Sequence, residues 1–464
     1  MKFYIAFDAF SMFILSFHEL PNKTHIDSMK NILSITSLVL LLTACGGKQE
    51  KAENTVVELT PPYNVEIPAS ISATVDSVFP LSEIASDVEF VQLEVTDESL
   101  LRDIFGIKVS DSHILIHDIN QVYLFARDGK FLTRVGSQGQ GPSEYLHVDK
   151  VMLDEKRQEI IVATTTTGIK VYGLDGKYKK TVPDTKGVFG GGYSVGLCSW
   201  NDKYWLRNRM PLSAPATDIW TCALADENFR FIKKFYNPDI QKRIDEINNQ
   251  MRAKMGEDKW VESENPLCDF YGGVLTMSYY AGDTIFRFDE ISQDFTPEYI
   301  LSFAEKPTFE MSHQWGKTDT RFFDYYFPYD YVITKDYFYL FLGHKDKSYI
   351  ARFNKKDGKM DYAPFENEII AHRFQNGFTH RRMDISQMFF RNDISGGCPF
   401  YVDSKSENGK YLIDMMDSED IEKYINMDEL KNETVTNEAS KQRWMDLLNR
   451  LSDDEQIIAI ATLK

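Results

Sequence analysis

Cys45 follows Leu42-Thr43-Ala44 at the end of an apolar run, residues 32–42, which Met29, Lys30 and Asn31 precede. A charged start, an apolar stretch too short to span a bilayer and small residues before a cysteine are what an export and processing machinery reads. The Cys45 thiol is therefore expected to form a diacylglycerol thioether and become a lipid-anchored N-terminus. A buried helix with an incidental cysteine fits less well, because Gly46, Gly47 and a polar stretch follow at once. A second constellation is the run Arg321-Phe322-Phe323-Asp324-Tyr325-Tyr326-Phe327-Pro328-Tyr329-Asp330-Tyr331. Rings interspersed with Asp and Arg offer flat apolar faces with polar edges, a surface suited to carbohydrates or peptides. Arg321, Tyr325, Tyr326 and Tyr329 are its ligand-binding candidates, although half the rings of a strand must point into packed faces. Trp200, Trp205, Arg207 and Arg209 form another candidate group, and His380, Arg381 and Arg382 a third.

Other patterns read as architecture. Gly136, Gly139 and Gly141 suggest a phosphate loop only superficially, since no Lys-Ser/Thr pair follows and no helix begins there; a tight turn is expected. His113 and His117 share a strand face, yet no carboxylate-rich partner motif accompanies them, so packed or exposed strand histidines are expected rather than a metal pair. Cys198, Cys222, Cys268 and Cys398 would meet an oxidising compartment after export. Their spacing fits buried thiols or one disulfide equally and does not choose a pairing. No Cys-x-x-Cys pair supports zinc or dithiol chemistry. No catalytic residue set, metal set or cofactor is expected.

The net charge of −18 excludes a nucleic-acid surface, which needs clustered Lys and Arg. Residues 1–28 add a further apolar stretch, 1–17, which is too short for a span and carries Asp8 in its middle. Met29 is therefore the expected initiator, and residues 1–44 are set aside as upstream extension and signal peptide. Residues 45–75 are polar and carry Pro61, Pro62 and Pro68, as a flexible tether would. Residues 76–464 hold the folded domain.

That domain has a strand texture. Ile114-Leu115-Ile116 leads to Val122-Tyr123-Leu124-Phe125, then Asp128-Gly129-Lys130 and Phe131-Leu132. The phrase returns at Ile160-Ile161-Val162 with Asp175-Gly176-Lys177, and at residues 337–342 with Asp357-Gly358-Lys359. Each Asp-Gly supplies the positive φ of a tight hairpin. Weaker copies at 204–231, 274–303 and 389–413 bring the count to six. One such antiparallel unit cannot bury both its faces alone, so several must stack around an axis.

With its continuation Gly136-Ser137-Gln138-Gly139-Gln140-Gly141-Pro142-Ser143-Glu144-Tyr145 and its closing segment, residues 455–464, the chain resembles the six-bladed β-propeller lipoproteins of gut Bacteroidetes, distant relatives of NHL-repeat and TolB-like propellers. The resemblance covers residues 80–464 and implies an all-β, six-bladed β-propeller. Ring closure is expected from residues 457–463 together with residues 88–93. Two stretches break the strand rhythm as helical insertions. In residues 240–255, Ile240, Ile244, Ile247, Met251 and Met255 form one face. In residues 418–451, Trp444, Leu447, Leu448 and Leu451 follow an expected Ser440 cap.

Two functions fit. One is a non-catalytic binding or scaffold module, membrane-attached through its lipid anchor at the outer membrane, with a glycan, a peptide or an outer-membrane protein as partner and no nucleic acid. The alternative is a lactonase- or lyase-like enzyme holding a divalent ion such as calcium on the axis, as related propellers do. Inward-facing acids near the axis discriminate the two, and no motif at the blade starts assembles such a set.

Overall fold

The computed structural model describes residues 59–464 apart from 102–103, 119, 165–167, 183–194, 201–202, 209–210, 213–219, 244, 246–260, 263–266, 272, 280–281, 309–310, 312–323, 345–346, 364–387, 417–420, 422–424 and 452–455. Successive side chains of a strand point to opposite faces, and here both faces are apolar. In the strand His113–His117, Ile114 and Ile116 enter one buried core while Leu115 enters another. Sheets made from such strands must be covered on both sides, which a ring of sheets achieves.

Six sheets form that ring. Blade 1 spans residues 106–135, blade 2 residues 150–182, blade 3 residues 195–235, blade 4 residues 267–303 and blade 5 residues 327–363. Blade 6 combines Ser404–Lys405, Tyr411–Met416 and Ile457–Leu463 with Ala85–Gln92 from the other end of the chain. One apolar core lies between each pair of neighbours, including blades 6 and 1. The fold is the six-bladed β-propeller.

The three Asp-Gly-Lys phrases occupy the same place, the hairpin from third to fourth strand of blades 1, 2 and 5. Gly129, Gly176 and Gly358 have φ of +89°, +73° and +73°. The preceding carboxylates accept from the backbone N–H two residues on, at 3.2, 3.1 and 3.0 Å for Asp128, Asp175 and Asp357. Such Asx turns favour the hairpin locally. The same turns also join blades: Glu94 N–H donates to the Gly129 carbonyl at 2.9 Å, and Gly136 N–H to the Gly176 carbonyl at 3.1 Å. Blades 3 and 4 repeat the Asx turn without glycine. Asp226 accepts from Asn228 N–H at 2.9 Å and Asp289 from Ile291 N–H at 2.8 Å, while Phe229 and Gln293 take the positive φ.

Both expected closing segments take part in closure. Ala85–Gln92 is the outermost strand of blade 6, antiparallel to Ile457–Leu463 with Val88 opposite Ala461. The helix Glu438–Leu448 lies on this strand. Trp444 stacks on Phe90 with ring centroids 3.9 Å apart, and Arg443 pairs with Asp87 at 2.7 Å. Its cap corrects the expectation: Asn437, not Ser440, accepts from the Ser440 N–H, and Ser440 Oγ is turned to the Val88 carbonyl at 2.6 Å. The shorter helix Met427–Asn432 precedes it. Of the first insertion the helix Pro238–Lys242 is seen, capped by Asn237, and most of residues 243–255 lie outside the described residues.

Two further expectations are revised. The copy at 389–413 is not one unit. Phe389–Phe390 pairs with Phe400–Tyr401 as a separate hairpin, and blade 6 begins at Ser404. Within the segment assigned to the tether, Tyr63–Ile67 forms a fifth strand on blade 4, parallel to Asp294–Phe303. Val65 and Ile67 enter the core shared by blades 4 and 5, and this apolar alternation, Tyr-Asn-Val-Glu-Ile, drives the docking.

Candidate functional site: an ionic cavity on the axis

The inner strand of each blade faces the axis. Four of these strands place a charged residue at one cavity: Lys108 in Gly106–Val109, Asp269 in Leu267–Tyr271, Asp330 in Phe327–Ile333 and Lys405 in Ser404–Lys405. They converge on a cavity of about 250 Å³ that Trp205, Phe270, Asp403 and Glu407 also line.

Lys405 is the central cation. Its Nζ lies 2.9 Å from Asp330 Oδ1 and 3.5 Å from Asp269 Oδ2, and it donates to the Tyr331 carbonyl. Blades 4, 5 and 6 are thereby tied together. Burial works against this ammonium, but the two carboxylates outweigh it and hold its pKa above the ordinary lysine value. Burial also pushes the Asp269 carboxyl up to about 6, with Lys405 opposing and Asp330 adding to the rise. A second tie runs from Lys108 to Glu407 at 3.1 Å, and Glu407 Oε2 accepts from the Ser199 N–H at 3.2 Å. This one links blades 1, 6 and 3.

Chemically, the arrangement is a partly enclosed polar volume with two ammonium groups, several carboxylates and aromatic walls. The ammonium of Lys405 stands between the two acids that an axial divalent ion would use. Among the described residues no group of three or more His, Cys, Asp or Glu is placed to hold a metal ion.

Of the sequence candidates, only Trp205 is seen at this cavity. Its ring is 1% exposed and packs on Phe235 at 5.5 Å between blades 3 and 4. Trp200 and Arg207 belong to the strands Val195–Trp200 and Lys203–Asn208, and their side chains lie outside the described residues, as do Arg209, Arg321, His380, Arg381 and Cys45. The aromatic run serves blade 5. Tyr326 is buried, stacks on His344 at 4.3 Å, and its hydroxyl accepts from Ile71 N–H at 3.0 Å. Tyr329 is half-buried over Gly343, where a Cβ would come within 2.0 Å of its ring. Tyr325 is half-buried as well.

The glycine phrase is a structural loop between blades 1 and 2. Glu144 accepts from Gly141 N–H at 2.8 Å, and the fully buried Tyr145 donates to the Val135 carbonyl at 2.6 Å. His113 pairs with Glu155 at 2.7 Å, whereas His117 is buried against Gly106, so the two do not share a ligand. Burial pushes the His117 imidazole down to about 4, against the raising effect of the hydrogen bond that its Nδ1–H donates to the Asp118 carbonyl. Cys198 and Cys222 lie in the core of blades 3 and 4, and Cys398 in that of blades 5 and 6.

Lys108, Asp269, Asp330, Lys405 and Glu407 escaped the sequence reading because they come from different blades. For Lys108, Asp269 and Asp330 the one signal available was a charge interrupting the apolar pattern of an inner strand; Lys405 and Glu407 had none.

No curated protein matches the chain. Among solved structures, a "putative exported protein" from Bacteroides fragilis NCTC 9343 is similar at 15% identity, covering 86% of this chain and 100% of that one with a TM-score of 0.52, a likeness of fold. The WD40 repeats of RRP9 match at 9% identity over 82% of this chain and 98% of that one, with a TM-score of 0.36. The family model described as a domain of unknown function (DUF4934) matches residues 64–462, from the added strand of blade 4 to the closing strand of blade 6, and the chain belongs to that family.

Proposed function

We propose that this chain is an exported, lipid-anchored propeller that acts as a non-catalytic binding or scaffold module at the outer membrane, with a glycan or peptide as ligand. The observation that carries this reading is the ammonium of Lys405 between Asp269 and Asp330. A lactonase- or lyase-like propeller needs its inward acids for a divalent ion, and here a resident lysine neutralises them, at a distance where a second cation would be repelled. The address rests on Cys45 and the apolar run before it.

The test has two parts. Cells fed labelled palmitate should yield labelled protein, and Cys45→Ala should abolish the label. Protease treatment of intact cells then distinguishes a surface-facing from a periplasmic domain. The purified domain should gain thermal stability from a member of a glycan and peptide panel and none from calcium or magnesium. Calcium-dependent stabilisation accompanied by turnover of a lactone would overturn the reading.

A further inference from the structure

The chain enters the propeller at blade 5. Leu59, the first described residue, is 38% exposed and rests on the third-to-fourth hairpin of that blade, where a Cβ added to Gly358 would come 3.1 Å from Leu59 Cδ1. Only residues 46–58 separate Leu59 from Cys45. A chain gains at most about 3.6 Å per residue, so the entry point stands no more than about 50 Å from an acylated Cys45.

Two turns of blade 5 adjoin at this entry, residues 334–336 and 354–359. Lys355 N–H donates to the Asp336 carbonyl at 3.0 Å, and the Lys355 ammonium donates to the Thr334 carbonyl. Together the turns carry Lys335, Lys355, Lys356 and Lys359 against Asp336 and Asp357. Lys335 and Lys356 are exposed and have no ion-pair partner among the described residues, and Lys359, 68% exposed, reaches Asp361 at 2.9 Å. Blade 1 balances Arg127 and Lys130 with Asp111 and Asp128 in the same two turns. The third-to-fourth hairpins of blades 3 and 4 are acidic, with Asp226 and Glu227 against Arg230, and with Asp289 and Glu290 and no cation. Blade 2, across the ring, offers Lys177 in its hairpin, but paired with Asp175 at 3.0 Å. In a chain of net charge −18 this contrast sets a direction: an anionic surface repels most of the molecule and draws blade 5 in.

We propose that the two turns of blade 5 dock on anionic headgroups of the bilayer that holds Cys45. The inference rests on the lipid-anchor reading above and adds to it the orientation of the domain. A lysine meets a phosphate as a compact charge on a flexible stem, so the contact needs no shaped pocket. Each lysine brought to an anionic surface raises occupancy of the contact about fivefold, which makes roughly a hundredfold for Lys335, Lys356 and Lys359 together. The anchor supplies the proximity, so a contact too weak to recruit a free protein is enough to orient a tethered one.

The acylated full chain, reconstituted on phosphatidylcholine vesicles with and without phosphatidylglycerol, tests this by pulsed acetylation of its lysines read by mass spectrometry. Lys335 and Lys356 are expected to react about fivefold or more slowly on the anionic vesicles than on the neutral ones, with the difference erased at high salt, while Lys177 reacts equally on both. Replacing both side chains, Lys335→Glu with Lys356→Glu, should leave the thermal midpoint unchanged and abolish the protection of Lys359. Equal rates on the two kinds of vesicle overturn the docking and leave the anchor standing. Protection of Lys177 to the same extent as Lys356 overturns the blade 5 orientation. A chain that takes up no labelled palmitate overturns the anchor and the docking with it.

Discussion

Replacing Gly176 with alanine should cost roughly 2–4 kcal/mol, and the same change at Gly273 only about 1–2 kcal/mol. Both glycines sit at positive φ, +73° and +78°, so both substitutions incur the left-handed strain of an L-residue, about 1–2 kcal/mol. They differ in surroundings. A Cβ on Gly176 would lie 2.2 Å from the carbonyl oxygen of Arg134 in blade 1, whereas one on Gly273 meets no heavy atom within 4 Å. The Arg134 oxygen is backbone and cannot swing aside, so the turn must retreat. The 3.1 Å bond from Gly136 N–H to the Gly176 carbonyl then stretches or breaks, a further cost of about 1–2 kcal/mol. Chemical denaturation of the two variants beside the wild-type chain measures the difference. Equal losses at the two sites, or a loss at Gly176 below about 1 kcal/mol, would refute the claim that these turns hold one blade to the next.

Lys405→Met should destabilise the fold by roughly 3–5 kcal/mol at neutral pH by leaving Asp269 and Asp330 without their cation; because Lys405 lowers the Asp269 carboxyl, that group protonates above about pH 6 in the variant, so the loss should shrink as pH falls toward 6, and urea titration at two pH values checks both. The folded state holds His117 at about 4 against about 6.5 unfolded, so between these values the unfolded chain binds more protons and stability falls as pH drops. Relative to His117→Gln, the wild type should therefore lose up to about 3 kcal/mol between pH 7 and 4, and parallel stability–pH curves would contradict the assignment. Deleting the chain through Ile67 uncovers the outer edge of blade 4 and part of its core with blade 5; light scattering should then show concentration-dependent association absent from the intact protein.

What could be read beforehand follows the range of the forces involved. The Asp-Gly-Lys turns were legible because an Asx hydrogen bond and a positive φ are local, set within four residues. Blades 3 and 4 use the same turn, but Phe229 and Gln293 carry the positive φ there, and neither residue type announces it. The inner strand of blade 6 has two residues, Ser404 and Lys405, too few for any periodicity, so the copy around Phe389 was counted in its place. Tyr63–Ile67 shows strand alternation, yet its partner at Tyr299–Phe303 is parallel and distant, and no turn links them. Trp205 was legible as a large polar-edged ring. The charges around it were not, because a lysine and two aspartates on separate blades become one site only when the ring closes.

That closure has a consequence for how the molecule is made. A polypeptide that emerges from a ribosome or a translocation pore delivers Ala85–Gln92 long before Ile457–Leu463, yet these strands are each other's partners. Until Ile457–Leu463 arrives, an apolar segment such as Val88 to Val91 lacks its partner strand, and blade 1 keeps one flank wet. Long-range pairing of this kind slows folding and prolongs the interval in which exposed strands attract other chains. Loss of Ile457–Leu463 would therefore cost the molecule both that strand and the pairing of Ala85–Gln92, far more than seven residues suggest.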